Sequence, residues 1–561
     1  MKPIFRFLSV VIWLLFFSFL TVQAQTYDWT LSGSSNRFDE ILCIASGIDG
    51  NIYASGQSIA PFVKIDTLVG TDTTIIQIDT LYSPDILLAA FTADGNLIWQ
   101  QTLEGKGNDR ATHIAATTEG NFFVAGSFSD TLSFGDTQLS TSSKFNSDIF
   151  TALFNSAGTK QWVAQIGGKG NAFSAGLSTD SDGNAFVGFN FSDTISIQSD
   201  LIVAAPAAAN FAIVKYNNEG GVEWYRMGSN NSGITLTSLN TDAEGNTFAV
   251  GYFSGYISFG DIYIGSYDEL DGFIAKINTS GIVEWLTTMP YLGNQSFHSV
   301  ATGGNNELYV CGQTNEPIPL NNDTIPISGI NSTFIVRYTK DNGTLQWITP
   351  INGQGVSFAQ QVSVDADGNA WIAGSFSPSI FNNSDTLYSQ GSEDILLAKV
   401  NPEGGLQWLH TAGSVYSEKA NTLTFDSDNN LYFAGAFEVE TVFVPDTLYS
   451  LGEYDYFLAK IGTSIVTHLP DNFLNPSVQT QELTLSVFPN PANNFATVVL
   501  PNTKESLQLT LCDLNGVVLT QTILNGQSPT FNLELSDLPH GLYLLHAATA
   551  SQSKVIKLTV W

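Results

Sequence analysis

The sequence predicts an all-β protein: a seven-bladed β-propeller followed by a small Ig-like β-sandwich. Three observations carry this. Trp29, Trp99, Trp162, Trp224, Trp285, Trp347 and Trp408 recur at intervals of 70, 63, 62, 61, 62 and 61 residues. A fixed period of this length is the mark of a repeat architecture. Each of these tryptophans is followed by a second turn: DGN (49–51), EGN (119–121), DGN (182–184), EGN (244–246), NNE (305–307), DGN (367–369) or DNN (428–430). From about residue 462 the period stops, and from 484 short apolar–polar alternations separated by turn residues take over.

Each repeat reads as four strands. A and B flank the DGN-type turn, whose glycine supplies the positive φ of a tight hairpin. Strand C opens on Asp85, Asp148, Asn210, Asp271, Ser332, Asp394 or Asp455 and continues as an apolar run; D follows a Gly turn and carries the tryptophan. Four-stranded sheets repeated radially are propeller blades. After the seventh C strand (455–460) no tryptophan strand follows, whereas Trp29 precedes the first DGN turn. The unmatched N-terminal strand therefore completes blade seven, which removes the open edge of the ring.

The recurring AGSF strand, the F-G and L-S pieces, D-x-F-x-A-K, the Gly turn and Trp resemble the seven-bladed propeller repeats of bacterial surface proteins. Blades two, four, six and seven match best; blade five departs, with GGNNE at its turn and an extra residue in TKDNG. The spacing of Ala275, Gly281 and Trp285 also resembles the tryptophan-docking motif of quinoprotein propellers. Phe91, Phe154, Tyr216, Ile277 or Val400 stands where that motif has Asp, and the blade count is not eight, so no quinone is implied.

Taken in order, residues 1–24 read as a secretory signal: Lys2 and Arg6, an apolar stretch from Phe7 to Leu20, then Val22-Gln23-Ala24 as a cleavage site. The apolar stretch is shorter than the roughly 20 residues a spanning helix needs. The propeller occupies 25–464. The net charge of −32 falls almost wholly on it, because 484–561 carries three Lys against four Asp or Glu. Such a surface repels nucleic acid and anionic membrane and favours solubility. Cys43, Cys311 and Cys512 are too few and scattered for a disulfide framework, and no Cys or His pair has zinc spacing. Blade one carries an insertion at 61–83, expected to form an extra hairpin on its B–C connection, either as part of a binding surface or as a shield for the closing blade.

Residues 465–483 read as a linker. The tail, 484–561, resembles the C-terminal sorting domain of proteins exported by type IX secretion in the Bacteroidetes. The resemblance rests on Phe488, Pro489, Asn490, Pro491 and Ala492; Asp513 to Gly516; Leu538, Gly541 and Tyr543; and Lys557 to Val560. It implies passage through the type IX machinery and a final place at the cell surface or outside the cell, with no membrane span in the mature protein.

Ligands of propellers meet loops at one mouth, here the D–A loops. Phe38, Phe173, Phe297, Phe358 and Tyr416 recur in or beside them, where aromatic faces could stack on sugar rings or pack between blades. The GGKG pieces lack the Lys-Ser/Thr ending of a phosphate loop. Asp365 and Asp367 partly imitate a calcium loop, which leaves calcium as the one cofactor the sequence offers; the closing bidentate Glu is missing and hairpin chemistry explains the acids. SVDADGNAW also resembles a sialidase Asp-box, with Asp367 in place of Gly. His113, His298 and His410 have no evident partners, and no catalytic residue is nameable. The reading is an exported, non-enzymatic module binding a glycan, a protein or an envelope component. The alternatives are a polysaccharide-active enzyme with its site at one mouth, and a purely structural surface protein.

Overall fold

A computed structural model of the chain describes residues 27–461, apart from 66–83 and shorter loop stretches, and most of 486–560. The chain divides into two compact units at Thr463/Ser464.

In the first unit each blade is an antiparallel A–B–C–D meander. Blade six shows the pattern: Val356–Val364, Ala370–Ser377, Asp394–Val400 and Leu406–Ala412. Blade seven takes A, B and C from Glu418–Phe425, Leu431–Phe437 and Asp455–Ile461, and its D strand from Tyr27–Ser34. Trp29 pairs with Lys460 and Leu31 with Leu458, so the ring closes as the unmatched ends require. The turn glycines Gly50, Gly120, Gly183, Gly245 and Gly368 have φ between 76° and 85°. In blades five and seven Asn306 and Asn429 hold that conformation instead, at 66° and 65°. Asn is the side chain that tolerates this region best, which is why NNE and DNN still turn the chain.

Sheets with two apolar faces pack face to face, and the core of the ring is accordingly split by junction. At the closing junction Ile41, Ile44, Leu87 and Phe91 of blade one meet Tyr432, Ala434, Tyr456 and Leu458 of blade seven, all buried. Six further clusters fill the other junctions.

Six of the seven periodic tryptophans bolt their blade to the next. The Trp224 indole N–H donates to the Thr279 carbonyl of the following C–D turn at 3.2 Å, and Trp99, Trp162, Trp285 and Trp347 do the same to Ser156, Asn218, Lys340 and Pro402. Trp29 reaches Ala93 at 3.1 Å, carrying the bolt across the closure.

Beyond the four strands read from each repeat, blades two to seven each carry a short B–C hairpin, such as Thr131–Phe134 with Thr137–Ser140 in blade two. Their strands are only three or four residues long, too short for periodicity to declare them. Several lie on the D strand of the preceding blade, as Gly167 against Ser196 and Gly228 against Phe259. Of the insertion at 61–83 only Val63–Ile65 is described; it pairs with Ser32–Ser34 of the closing strand, the same relation at the seam.

In the second unit Ser486–Phe488, Phe495–Val499 and Thr530–Glu534 form one sheet. Leu507–Cys512, Val518–Leu524, Gly541–Ala548 and Ser553–Val560 form another. Val498, Leu509, Leu511, Leu545 and Leu558 share one core between them. Among the described residues there is no helix long and apolar enough to cross a membrane.

Candidate functional site: the channel and its D–A mouth

The A strands are the inner edge of every blade, and an edge strand leaves backbone N–H and C=O groups unpaired. Each A strand also has a bulge, as between Ala111 and His113 or Phe297 and Ser299. Side chains just past the bulge close these backbone groups across the junctions. Thr422 accepts from the Ile44 N–H at 3.1 Å, Ser238 from Val300 at 3.4 Å, Ser299 from Val362 at 3.2 Å and Gln361 from Leu423 at 2.7 Å. His113 Nδ1 meets Ser174 Oγ at 3.1 Å between blades two and three. Gly176 offers no side chain at that position, and there the Ser178 and Thr241 hydroxyls meet at 2.6 Å instead. These strands line a cavity of about 300 Å³. Its polar wall is engaged in holding the ring together.

At the D–A end the pairing registers define seven equivalent positions: Glu40, Arg110, Phe173, Thr235, Ser296, Phe358 and Lys419. Lys419 and Glu40 neutralise each other at 2.6 Å, with Asn421 adding a hydrogen bond to Glu40 at 2.9 Å. Phe358 stacks on His298 with ring centroids 4.4 Å apart. Arg110 and Phe173, in adjacent blades, are both exposed, Phe173 by 49%. The Ser174 N–H donates to Ser127 Oγ at 3.2 Å, and Ser127 is the cross-strand partner of Arg110, which sets the two positions side by side.

The five aromatics singled out from sequence therefore differ in standing. Phe173 is exposed and Phe358 half-buried at equivalent positions. Tyr416 is exposed one turn earlier, and Phe38 lies half-buried against Tyr454 at 5.5 Å. Phe297 is fully buried against Phe334 and Tyr338 and offers no face to a ligand. It sits one residue past the equivalent position, and successive strand residues point to opposite faces.

Ser296 Oγ lies 2.8 Å from His298 Nε2, while Nδ1 lies 3.0 Å from the Ala359 carbonyl. This is a hydroxyl–imidazole pair that two residues on one strand could have suggested. Burial lowers the His298 pKa, which makes it a weak base at neutral pH. His113 and His410 are likewise held down, to about 4, by burial.

The acids are mostly structural. Asp365 accepts from the Asp367 and Asn369 N–H groups at 3.1 and 2.8 Å and from the Trp371 indole at 2.8 Å, with Lys399 at 3.2 Å. Burial alone would raise it, but these donors hold it below the usual carboxylate range. At the D–A end, Asp109 and Glu418 are buried beside other carboxyls. Burial, with Asp85 and Asp130 nearby, pushes Asp109 up to about 7; burial, with Asp394 and Glu438, does the same to Glu418. Among the described residues no three His, Cys, Asp or Glu side chains converge as a metal site.

Of the tail residues singled out, Pro489, Asn490, Pro491 and Gly516 lie outside the described residues, as do the signal segment 1–24 and the linker 465–483. Gly541 pairs with Val560 and Lys557 with Leu544 in the second sheet.

A family model described as a secretion system C-terminal sorting domain matches residues 486–560, and one described as a beta-propeller repeat matches 161–188. The chain is 24% identical to an uncharacterized WD repeat-containing protein, L264, of Acanthamoeba polyphaga mimivirus, over 72% of this chain and 36% of that protein. It thus spans about a third of that relative's length. Similar solved structures include a gluconolactonase of Xanthomonas campestris, at 12% identity and TM-score 0.28 over 55% of this chain and 78% of that one. Another is the acylaminoacyl peptidase of Pyrococcus horikoshii, at 9% identity and TM-score 0.37 over 84% and 59%. The ring of seven four-stranded sheets, its repeat match and the matched tail make this chain a seven-bladed β-propeller repeat protein with a type IX secretion C-terminal sorting domain, delivered to the cell surface or the extracellular space.

Proposed function

We propose that the propeller is a binding module that meets an extracellular glycan, protein or envelope component at its D–A mouth, without catalysing a reaction. One observation carries this reading. The polar channel wall is engaged in inter-blade hydrogen bonds, whereas the D–A end presents Phe173, Tyr416 and Arg110 outward on rigid strand ends and short loops. Exposed aromatics on a rigid frame give contact area at low entropic cost. The enzymatic alternative has one specific support, the Ser296–His298 pair, and the depressed basicity of that imidazole weighs against it.

The test is a glycan-array screen of the purified protein, with and without calcium, followed by analysis of bound glycans for cleavage. We expect uncleaved binding that falls at least tenfold in Phe173→Ala and less in Phe358→Ala, whose ring is already stacked. Cleavage of a bound glycan that Ser296→Ala abolishes would overturn the non-enzymatic reading. Binding indifferent to both aromatic substitutions would move the site away from this mouth.

A further inference from the structure

Most cations of this acidic ring are paired. Lys160 meets Asp136, Lys215 meets Glu223, Lys276 meets Glu284 and Lys399 meets Asp365, at 2.5, 3.0, 2.9 and 3.2 Å. Among the propeller residues whose side chains are described, the other lysines and arginines also sit in ion pairs or on backbone carbonyls, with four exceptions. Those four are Lys106, Arg110, Lys144 and Lys169, and all are exposed.

They are not scattered. Lys106 belongs to the D–A loop entering blade two and Arg110 opens the strand that follows it, Lys169 belongs to the D–A loop entering blade three, and Lys144 to the B–C connection of blade two. That connection touches both loops. The Lys106 N–H donates to the Thr131 carbonyl at 3.0 Å, and Asn146 donates to the Lys169 carbonyl at 2.6 Å. Two exposed aromatics stand among the cations: Phe173, and Phe145, which is 81% exposed with Lys144 5.0 Å from its ring centroid. Glu104 and Asp130 lie on the same loops and Asp193 on the B–C connection of blade three, and none of them forms an ion pair with the four cations among the described residues.

On a chain of net charge −32, four cations without ion-pair partners gathered with two aromatics on one rim form a local patch complementary to an anionic ligand. Resting on the reading of this mouth as a binding site, we propose that the rim of blades two and three holds an acidic polysaccharide, a polyuronate, with guanidinium and ammonium groups on its carboxylates and phenyl rings on its sugar faces. Arginine matches carboxylate bidentately, and aromatic faces suit the C–H face of a pyranose. The rest of the surface selects among polyanions. Duplex DNA carries one charge per about 1.7 Å of its axis, and the acidic ring repels so dense a chain. A polyuronate carries one charge per sugar, and beyond a Debye length of about 8 Å the repulsion is screened.

The test is calorimetric titration of the purified full chain with oligogalacturonate, with the same oligomer methyl-esterified so that its charge is removed, and with duplex DNA. The expected result is binding to oligogalacturonate that weakens with added salt and is at least tenfold weaker for the ester. Lys106→Ala/Arg110→Ala and Lys169→Ala should each lower it at least tenfold with unchanged thermal unfolding, which exposed side chains permit. Equal binding of acid and ester, or preferential binding of DNA, would overturn the proposal. If Phe173→Ala abolishes binding to neutral array glycans while the cation variants spare it, the mouth reading stands and the acidic ligand falls. Binding of oligogalacturonate that every one of these variants leaves intact removes both.

Discussion

Asp109 shows how much one buried carboxyl can bias the stability of this protein. It is fully buried, accepts one hydrogen bond from the Ser129 N–H at 3.1 Å, and has Asp85 and Asp130 as neighbours. Its folded pKa of about 7 lies above the unfolded value of 3.8. A raised pKa means that the folded state holds the proton more tightly. The stability this contributes is fully present below the unfolded pKa and is lost as pH rises from about 4 to about 7. Glu418, pushed to about 7 by burial with Asp394 and Glu438 nearby, acts in the same window. The protein is therefore expected to unfold at a higher temperature at pH 5 than at pH 8. Asp109→Asn should raise stability at pH 8 by on the order of 3 kcal/mol and leave it nearly unchanged at pH 4. Urea unfolding at the two pH values decides this; a variant that loses stability at pH 8 and not at pH 4 would show that the carboxylate is needed in its ionised form.

At the scale of the element, the tryptophan bolt needs a glycine to receive it. Gly281 has φ +78°, and a β-carbon there would stand 2.8 Å from Cδ2 of Trp224. Gly281→Ala thus meets both backbone strain and an indole that must move, at a cost of about 3 kcal/mol. Trp224→Phe keeps most of the ring and loses the hydrogen bond to Thr279, at about 1 kcal/mol. Thermal unfolding should rank the glycine change as the worse; the opposite order would mean that the indole N–H, not the close approach, holds the junction. The tryptophan and the Gly turn were each legible in the sequence because each sits at a fixed offset within its own repeat; that the tryptophan of one repeat docks on the turn of the next was not. The DGN turns were legible for the same reason, down to Asn306 and Asn429 in the glycine's place. What escaped was whatever depends on a neighbouring repeat or on strand parity. Phe297 and Phe358 look alike in the string, yet one residue of offset buries the first and leaves the second at the mouth. Lys106 and Lys169 lie 63 residues apart, and only the blade-two connection shows that their loops share one rim.

At the scale of the whole molecule, the ring depends on eight residues from the other end of its chain. Tyr27–Ser34 covers the edge of Asp455–Ile461. It also puts Tyr27 into the cluster between blades six and seven, and Trp29 and Leu31 against the one between seven and one. Burying three large side chains is worth roughly 2 kcal/mol each, about 6 kcal/mol together, before the ladder hydrogen bonds are counted. A domain's net stability is about 5–15 kcal/mol, so the closing strand supplies a large share of it. Without it the seventh blade would present an apolar C strand with unpaired backbone groups, a template for pairing with another chain. A protein beginning at residue 38 is therefore expected to aggregate or to melt far below the parent. A synthetic peptide of residues 27–34 should restore a monomer by adding the missing strand. Light scattering with chromatography and a thermal melt, each with and without peptide, test this. A stable monomer in the peptide's absence would mean that the seven junction clusters hold the ring unaided, and that the N-terminal strand only finishes an edge.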